Sequence, residues 1–87
     1  MKPVYKVILS RQAEQFYKKL EVKVKAKVRD SLISLEEEVN AGKRLRGDLK
    51  ENYSLRVGKK LRIIYTVSEK DKTVYVVAIG PRRNVYQ

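Results

Sequence analysis

Cysteine, histidine and tryptophan are missing from this chain of 87 residues, and glycine, proline and phenylalanine number only four, two and one. Without cysteine there is no disulfide and no thiolate nucleophile. Without histidine as well, zinc has neither a sulfur nor a nitrogen ligand, and no carboxylate cluster suggests magnesium, so no metal and no cofactor are expected. Long apolar runs are lacking too. The opening MKPVYKVILS is interrupted by Lys6, too early for a secretory signal, and nothing approaches the roughly 20 residues that span a bilayer. Cytoplasm is the expected compartment, with no membrane partner. Gly42, Gly47, Gly58 and Gly80 compose neither a dinucleotide nor a P-loop fingerprint.

Charge is abundant. The hydrophobic fraction of 43% is that of a folded protein, so the 36% of charged residues must be surface rather than disorder. The length suits one domain, residues 1–87, that buries roughly 60 to 65% of its unfolded surface and leaves little room for a deep pocket. The formal charge of +11 is uneven: residues 1–40 hold nine Lys or Arg against six acids, residues 41–87 twelve against four. Such a field attracts polyanions, nucleic acid first and acidic protein next.

VYKVIL (residues 4–9) has the β-branched content of a strand, and Ser10 follows as a helix N-cap. Ala13, Phe16, Tyr17 and Leu20 make one helical stripe, which predicts a helix over about Arg11 to Leu20. EVKVKAKV alternates with period two and would pass for a strand. However, Val28, Leu32, Leu35 and Val39 step by four, three and four, which predicts a second helix over about Val24 to Asn40, with Gly42 as its stop. Its lysines are a solvated face. Beyond GKRLRGDLKEN come YSLRV, LRIIYTVS and TVYVVAIG, joined by GKK and EKDK, lengths that suit an antiparallel meander. The fold expected is α+β: a small β-α-α-β-β-β domain, mainly antiparallel, with both helices packed on one face.

Tyr53, Leu55 and Val57 share one strand face, as do Leu61, Ile63, Tyr65 and Val67 on the next strand. Turning both sets toward the helices fixes the parity of the register, because a slip of one residue would expose one of them, and the simplest register of that parity leaves Gly58, Lys59 and Lys60 as the loop. Val57 then pairs with Leu61, and Arg56 with Arg62. Like charges directly opposed are destabilising, and neither arginine has an acidic neighbour on its strand. A bound anion would relieve the repulsion, and a planar guanidinium suits phosphate; two side chains splayed into solvent are the alternative. Residues 81–87 leave the adjacent strand, stiffened by Pro81, so Arg82, Arg83 and Tyr86 can cross the same face. Arginines with an aromatic match RNA, whose bases stack on rings. Arg44 and Arg46 either extend the basic face or solubilise their loop.

The phrases LRGDLKENYSLRVGKKLRIIYTV and VYVVAIGPRRNVY, in this element order, resemble the RelE/ParE toxin superfamily of toxin-antitoxin pairs over nearly the whole chain. The resemblance favours the RelE-like branch, whose members cut messenger RNA in the ribosomal A site. It implies a metal-independent endoribonuclease in which the 2′-hydroxyl attacks the adjacent phosphodiester. Arg62, Arg82 and Tyr86 take the catalytic positions; Arg46, Ser54, Arg56 and Arg83 would contact RNA. Ser54 stands where the family pattern has lysine, and a shorter tail leaves Arg83 as the alternative to Arg82. Ribosome, messenger RNA and a cognate antitoxin are the implied partners. A non-catalytic ParE-like gyrase inhibitor and an inactive RNA-binding member of the fold are the alternatives.

Overall fold

The Ser10 side chain begins the first helix as its position suggests: extended at φ −66° and ψ 167°, it accepts a 3.1 Å hydrogen bond from the Ala13 amide. In the computed structural model, which describes residues 5–39, 42–44 and 52–81, the chain runs β1 (Lys6–Leu9), α1 (Arg11–Lys18), α2 (Val22–Leu35), β2 (Lys43–Arg44), β3 (Asn52–Val57), β4 (Leu61–Ser68) and β5 (Thr73–Pro81). One five-stranded sheet has the order β1-β5-β4-β3-β2. β5, late in the sequence, lies inside it, parallel to β1 and antiparallel to β4.

One face of the sheet carries the core. Ala13 of α1 and Val28 and Leu35 of α2 are fully buried against Val57, Ile63, Tyr65, Val74, Val76 and Ile79. Phe16, Tyr17, Leu20 and Leu32 pack around them, half-buried. The expected α+β arrangement is present, and so is the meander of β3, β4 and β5.

The helix ends differ from expectation. α1 stops at Lys18, where Lys19 is the C-cap and Leu20 already donates back to the Tyr17 carbonyl. α2 begins earlier, with Val22 85% exposed, and ends at Leu35, well before Gly42. Its last turn tightens: the Glu36 amide donates to Ile33 and the Glu37 amide to Ser34. Glu36, Glu37 and Glu38 follow at the helix C-terminus, where the macrodipole opposes negative charge. The helix therefore stops although the apolar spacing continues, and Val39 reaches the core from beyond it, 8% exposed. A second difference is β2, a two-residue strand on β3 within the expected polar connection.

No helix among the described residues is long and apolar enough to cross a membrane.

Candidate nucleic-acid interface

The β3–β4 hairpin turns through Gly58, Lys59 and Lys60. Gly58 sits at φ +64°, in the left-handed region that favours glycine, and the two lysines are exposed. The register is the one the apolar pattern demands: Val57 opposes Leu61, Leu55 opposes Ile63, Tyr53 opposes Tyr65, and Arg56 opposes Arg62. Since Val57, Ile63 and Tyr65 face the helices, Ser54, Arg56, Arg62 and Ile64 belong to the outer face.

On β5 the alternation changes phase. Ile64 pairs with Ala78 but Tyr65 pairs with Val76, so Val77 is an extra residue, a β-bulge. Val74 and Val76 face the core before it and Ile79 after it. If Val77 were paired in regular alternation, Ala78 and Gly80 would point at the helices; the bulge prevents this. With it, two rows of three cross the outer face: Ser54, Ile64 and Ala78, then Arg56, Arg62 and Gly80.

The bulge is held from the other side by α1. β1 ends at Leu9, yet the β5 edge stays paired: Ser10 Oγ donates to the Val77 carbonyl at 2.7 Å, and the Gln12 carboxamide both donates to the Ile79 carbonyl (3.3 Å) and accepts from the Ile79 amide (3.2 Å). Gln12 so imitates a strand partner where β1 has run out. At the opposite edge, Tyr65 Oη donates to the Val39 carbonyl (2.8 Å) and accepts from the Gly42 amide (2.9 Å), while its ring stacks on Tyr53 at 5.2 Å. Burial pushes the Tyr65 hydroxyl pKa up, and the Gly42 amide offsets part of that rise.

Arg62 is the centre of the outer face. Its Nη1 donates to Ser54 Oγ at 3.0 Å, across the diagonal between the two rows. Its Nε is buried and has no hydrogen-bond partner. Arg56 is exposed beside it, and Gly80 on the other side contributes no side chain. Among the described residues neither arginine forms an ion pair with a carboxylate, and the ion pair that does form, Lys18 with Glu14, lies on α1. Ser54 is 3% exposed and turned to Arg62. Such a face offers fixed positive charge and N–H donors, with no group among its described members that ionises near neutral pH. It can bind a phosphodiester and stabilise added charge on it.

The structure thus brings together three of the residues singled out from sequence: Ser54, Arg56 and Arg62. Arg46, Arg82, Arg83 and Tyr86 lie outside the described residues; β5 runs to Pro81, opposite Leu61, one residue beyond the Arg62–Gly80 pair. Gln12, Gly80 and the Val77 bulge carry weak sequence signals. A helix-surface glutamine is unremarkable by itself, and the doublet Val76-Val77, breaking a period of two, is the one trace of the bulge.

A family model described as the ParE-like toxin of type II bacterial toxin-antitoxin systems matches residues 7–87. No curated protein sequence matches the chain. Among solved structures, the chain is similar to one from the RelBE2 toxin-antitoxin complex of Mycobacterium tuberculosis, with TM-score 0.79 and 26% identity over 93% of this chain and 100% of that one. It is also similar to a chain of the archaeal RelE–RelB complex of Pyrococcus horikoshii OT3, with TM-score 0.74 and 26% identity over 94% and 99%. The YoeB/ParE toxin of Agrobacterium tumefaciens has TM-score 0.79 at 19% identity over 88% and 98%, a likeness of fold alone.

Proposed function

The chain belongs to the ParE-like toxins of type II bacterial toxin-antitoxin systems, and from that premise we propose that it is a ribosome-dependent endoribonuclease that cuts messenger RNA in the A site. The observation that carries this reading is the Arg56–Arg62 pair: two guanidiniums opposed on the outer sheet face, Arg56 exposed and Arg62 half-buried, unneutralised by any described carboxylate. Opposed like charges are destabilising, and a phosphodiester between them removes that cost.

In the reaction, the ribose 2′-oxygen attacks the adjacent phosphorus and the bond to the 5′-oxygen breaks. The products are a 2′,3′-cyclic phosphate and a 5′-hydroxyl end. One proton leaves the 2′-hydroxyl and one joins the departing oxygen, so no water or metal is consumed. Arg62 and Arg82 stabilise the charge of the crowded phosphorane, with Arg83 as the alternative to Arg82. Tyr86 stacks on a base and assists proton transfer. Arg46 and Arg56 hold the flanking phosphates. The ribosome supplies the in-line geometry, worth orders of magnitude in rate, so free RNA is a poor substrate.

The protein then works in the cytoplasm, with ribosome and messenger RNA as targets and a small antitoxin as its inhibitor. Solved relatives occur in RelBE2 and RelE–RelB complexes, which supports the last.

A non-catalytic reading, inhibition of gyrase or of the ribosome by binding alone, is favoured by one observation: the serine at position 54 is buried, and the described face holds no general base. Induction in cells followed by mapping of messenger RNA 5′ ends separates the two. Codon-phased cuts are expected; growth arrest with intact transcripts establishes the binder. If Arg62→Ala and Arg82→Ala both retain full toxicity, the site assignment fails.

A further inference from the structure

We propose that Ser54 is a positioning residue for the Arg62 guanidinium in the RNA cleavage described above, a reading on which this inference rests. Ser54 is 3% exposed, so its hydroxyl is closed to a polynucleotide lying on the face. The same hydroxyl accepts from Arg62 Nη1 at 3.0 Å. Its chemistry is therefore directed at the arginine, not at RNA.

Arg62 needs such an anchor because its two neighbours in the row push and give way. Arg56 repels it from β3, and Gly80 on β5 presents no side chain to stop it. Left to these neighbours, the guanidinium would swing toward the glycine. The hydrogen bond holds it instead toward Ser54, which pairs with Ile64 in the next row.

The anchor also selects which edge of the guanidinium can work. Of the five N–H bonds of arginine, one on Nη1 is given to Ser54 and the one on Nε is buried. Three remain, one on Nη1 and two on Nη2, so the side-on edge, which pairs Nε with Nη2, is closed. Arg62 so meets a phosphate along its Nη edge rather than through Nε. A lysine at position 62 has no such edge.

Two measurements test this with the full chain. Side-chain 15N NMR of Arg62 reads the anchor directly: the wild type and Ser54→Thr should show two separate Nη environments, and Ser54→Ala a single averaged one. A wild-type Arg62 that already averages overturns the anchor. Single-turnover cleavage of ribosome-bound messenger RNA reads its consequence. Ser54→Ala should cut about tenfold more slowly, the effect of losing one hydrogen bond to a charged group, with little change in KM, and Ser54→Thr should stay close to the wild type. In an Arg62→Ala background, Ser54→Ala should bring no further loss. An equal loss in both backgrounds overturns the inference, since Ser54 would then act elsewhere. A wild type that cuts no ribosome-bound messenger overturns the nuclease reading and the catalytic half of this inference, whereas the NMR result stands or falls independently.

Discussion

Tyr65 Oη lies 2.9 Å from the Gly42 amide and 2.8 Å from the Val39 carbonyl, so one buried phenol fastens the end of the helical region to the start of β2. Gly42 can approach that closely because it has no Cβ. A methyl built there would stand 2.7 Å from Tyr65 Oη and 3.0 Å from the Ser54 carbonyl oxygen, well inside contact distance. Gly42→Ala should therefore cost about 1–3 kcal/mol by overpacking, and Tyr65→Phe about 1–2 kcal/mol by leaving an amide and a carbonyl unpaired. Thermal unfolding of both variants checks this. A midpoint unchanged in both would remove the fastening.

Arg56→Glu should raise stability while lowering RNA binding. The substitution converts the like-charge pair with Arg62 into an opposite-charge one on the same outer face, worth roughly 0.5 kcal/mol. It also removes the phosphate contact proposed for Arg56, so the salt dependence of single-stranded RNA affinity should flatten by about 0.7 in log–log slope for each counterion no longer released. Urea titration beside RNA binding at several salt concentrations measures both. A variant that is less stable contradicts the repulsion.

Deleting Val77 should remove the bulge and spare the site. Removal of the bulged residue leaves Val76, Ala78 and Ile79 in simple alternation, so Ile79 stays in the core and Gly80 stays beside Arg62. The stability lost, read by thermal unfolding, should therefore be smaller than the ~1.5–3 kcal/mol that exposing the Ile79 side chain would cost. Gln12→Ala should destabilise the same strand, by leaving the Ile79 amide and carbonyl unpaired at a cost of about 1–3 kcal/mol. Hydrogen exchange at the Ile79 amide follows the second variant; protection equal to that of the wild type would show that another group has taken the place of Gln12.

Alkaline titration should reveal two late tyrosines. Tyr65 is raised above 10.0 chiefly by burial. Tyr5 is raised chiefly by its hydrogen bond to Glu69, where Tyr5 Oη donates 2.9 Å to Oε1. Both act as neutral phenols in the folded state. The stability they contribute is fully present below the ordinary tyrosine pKa and is lost as pH rises through the raised folded values. Stability should thus hold from neutral pH toward 10 and fall above it. Tyrosinate absorbance, compared between the wild type and Tyr65→Phe, should lose a late-titrating component in the variant.

The sequence revealed most where one side of an element had to be buried. The apolar sets of β3 and β4 admit a single parity, and the simplest loop of that parity, Gly58 to Lys60, opposes Arg56 to Arg62. The end of α2 was hidden for the converse reason. Val39 keeps its inward position without a helix, so the spacing outlasted the structure it implied, while three glutamates at the C-terminus gave the electrostatic signal to stop. The bulge at Val77 was hidden because valine, alanine and glycine tolerate either face. Gln12 shows a different limit: its partner is a backbone group 67 positions away, and no local pattern records that.

The sheet order has a consequence for biosynthesis. β5 follows every other described strand in the sequence yet lies between β1 and β4, so until Thr73 to Pro81 leave the exit tunnel, β1 has no strand beside it and the sheet stays in two pieces. A nascent chain thus carries no finished sheet, and the Arg56–Arg62 pair gains its Gly80 neighbour only when that last strand is in place.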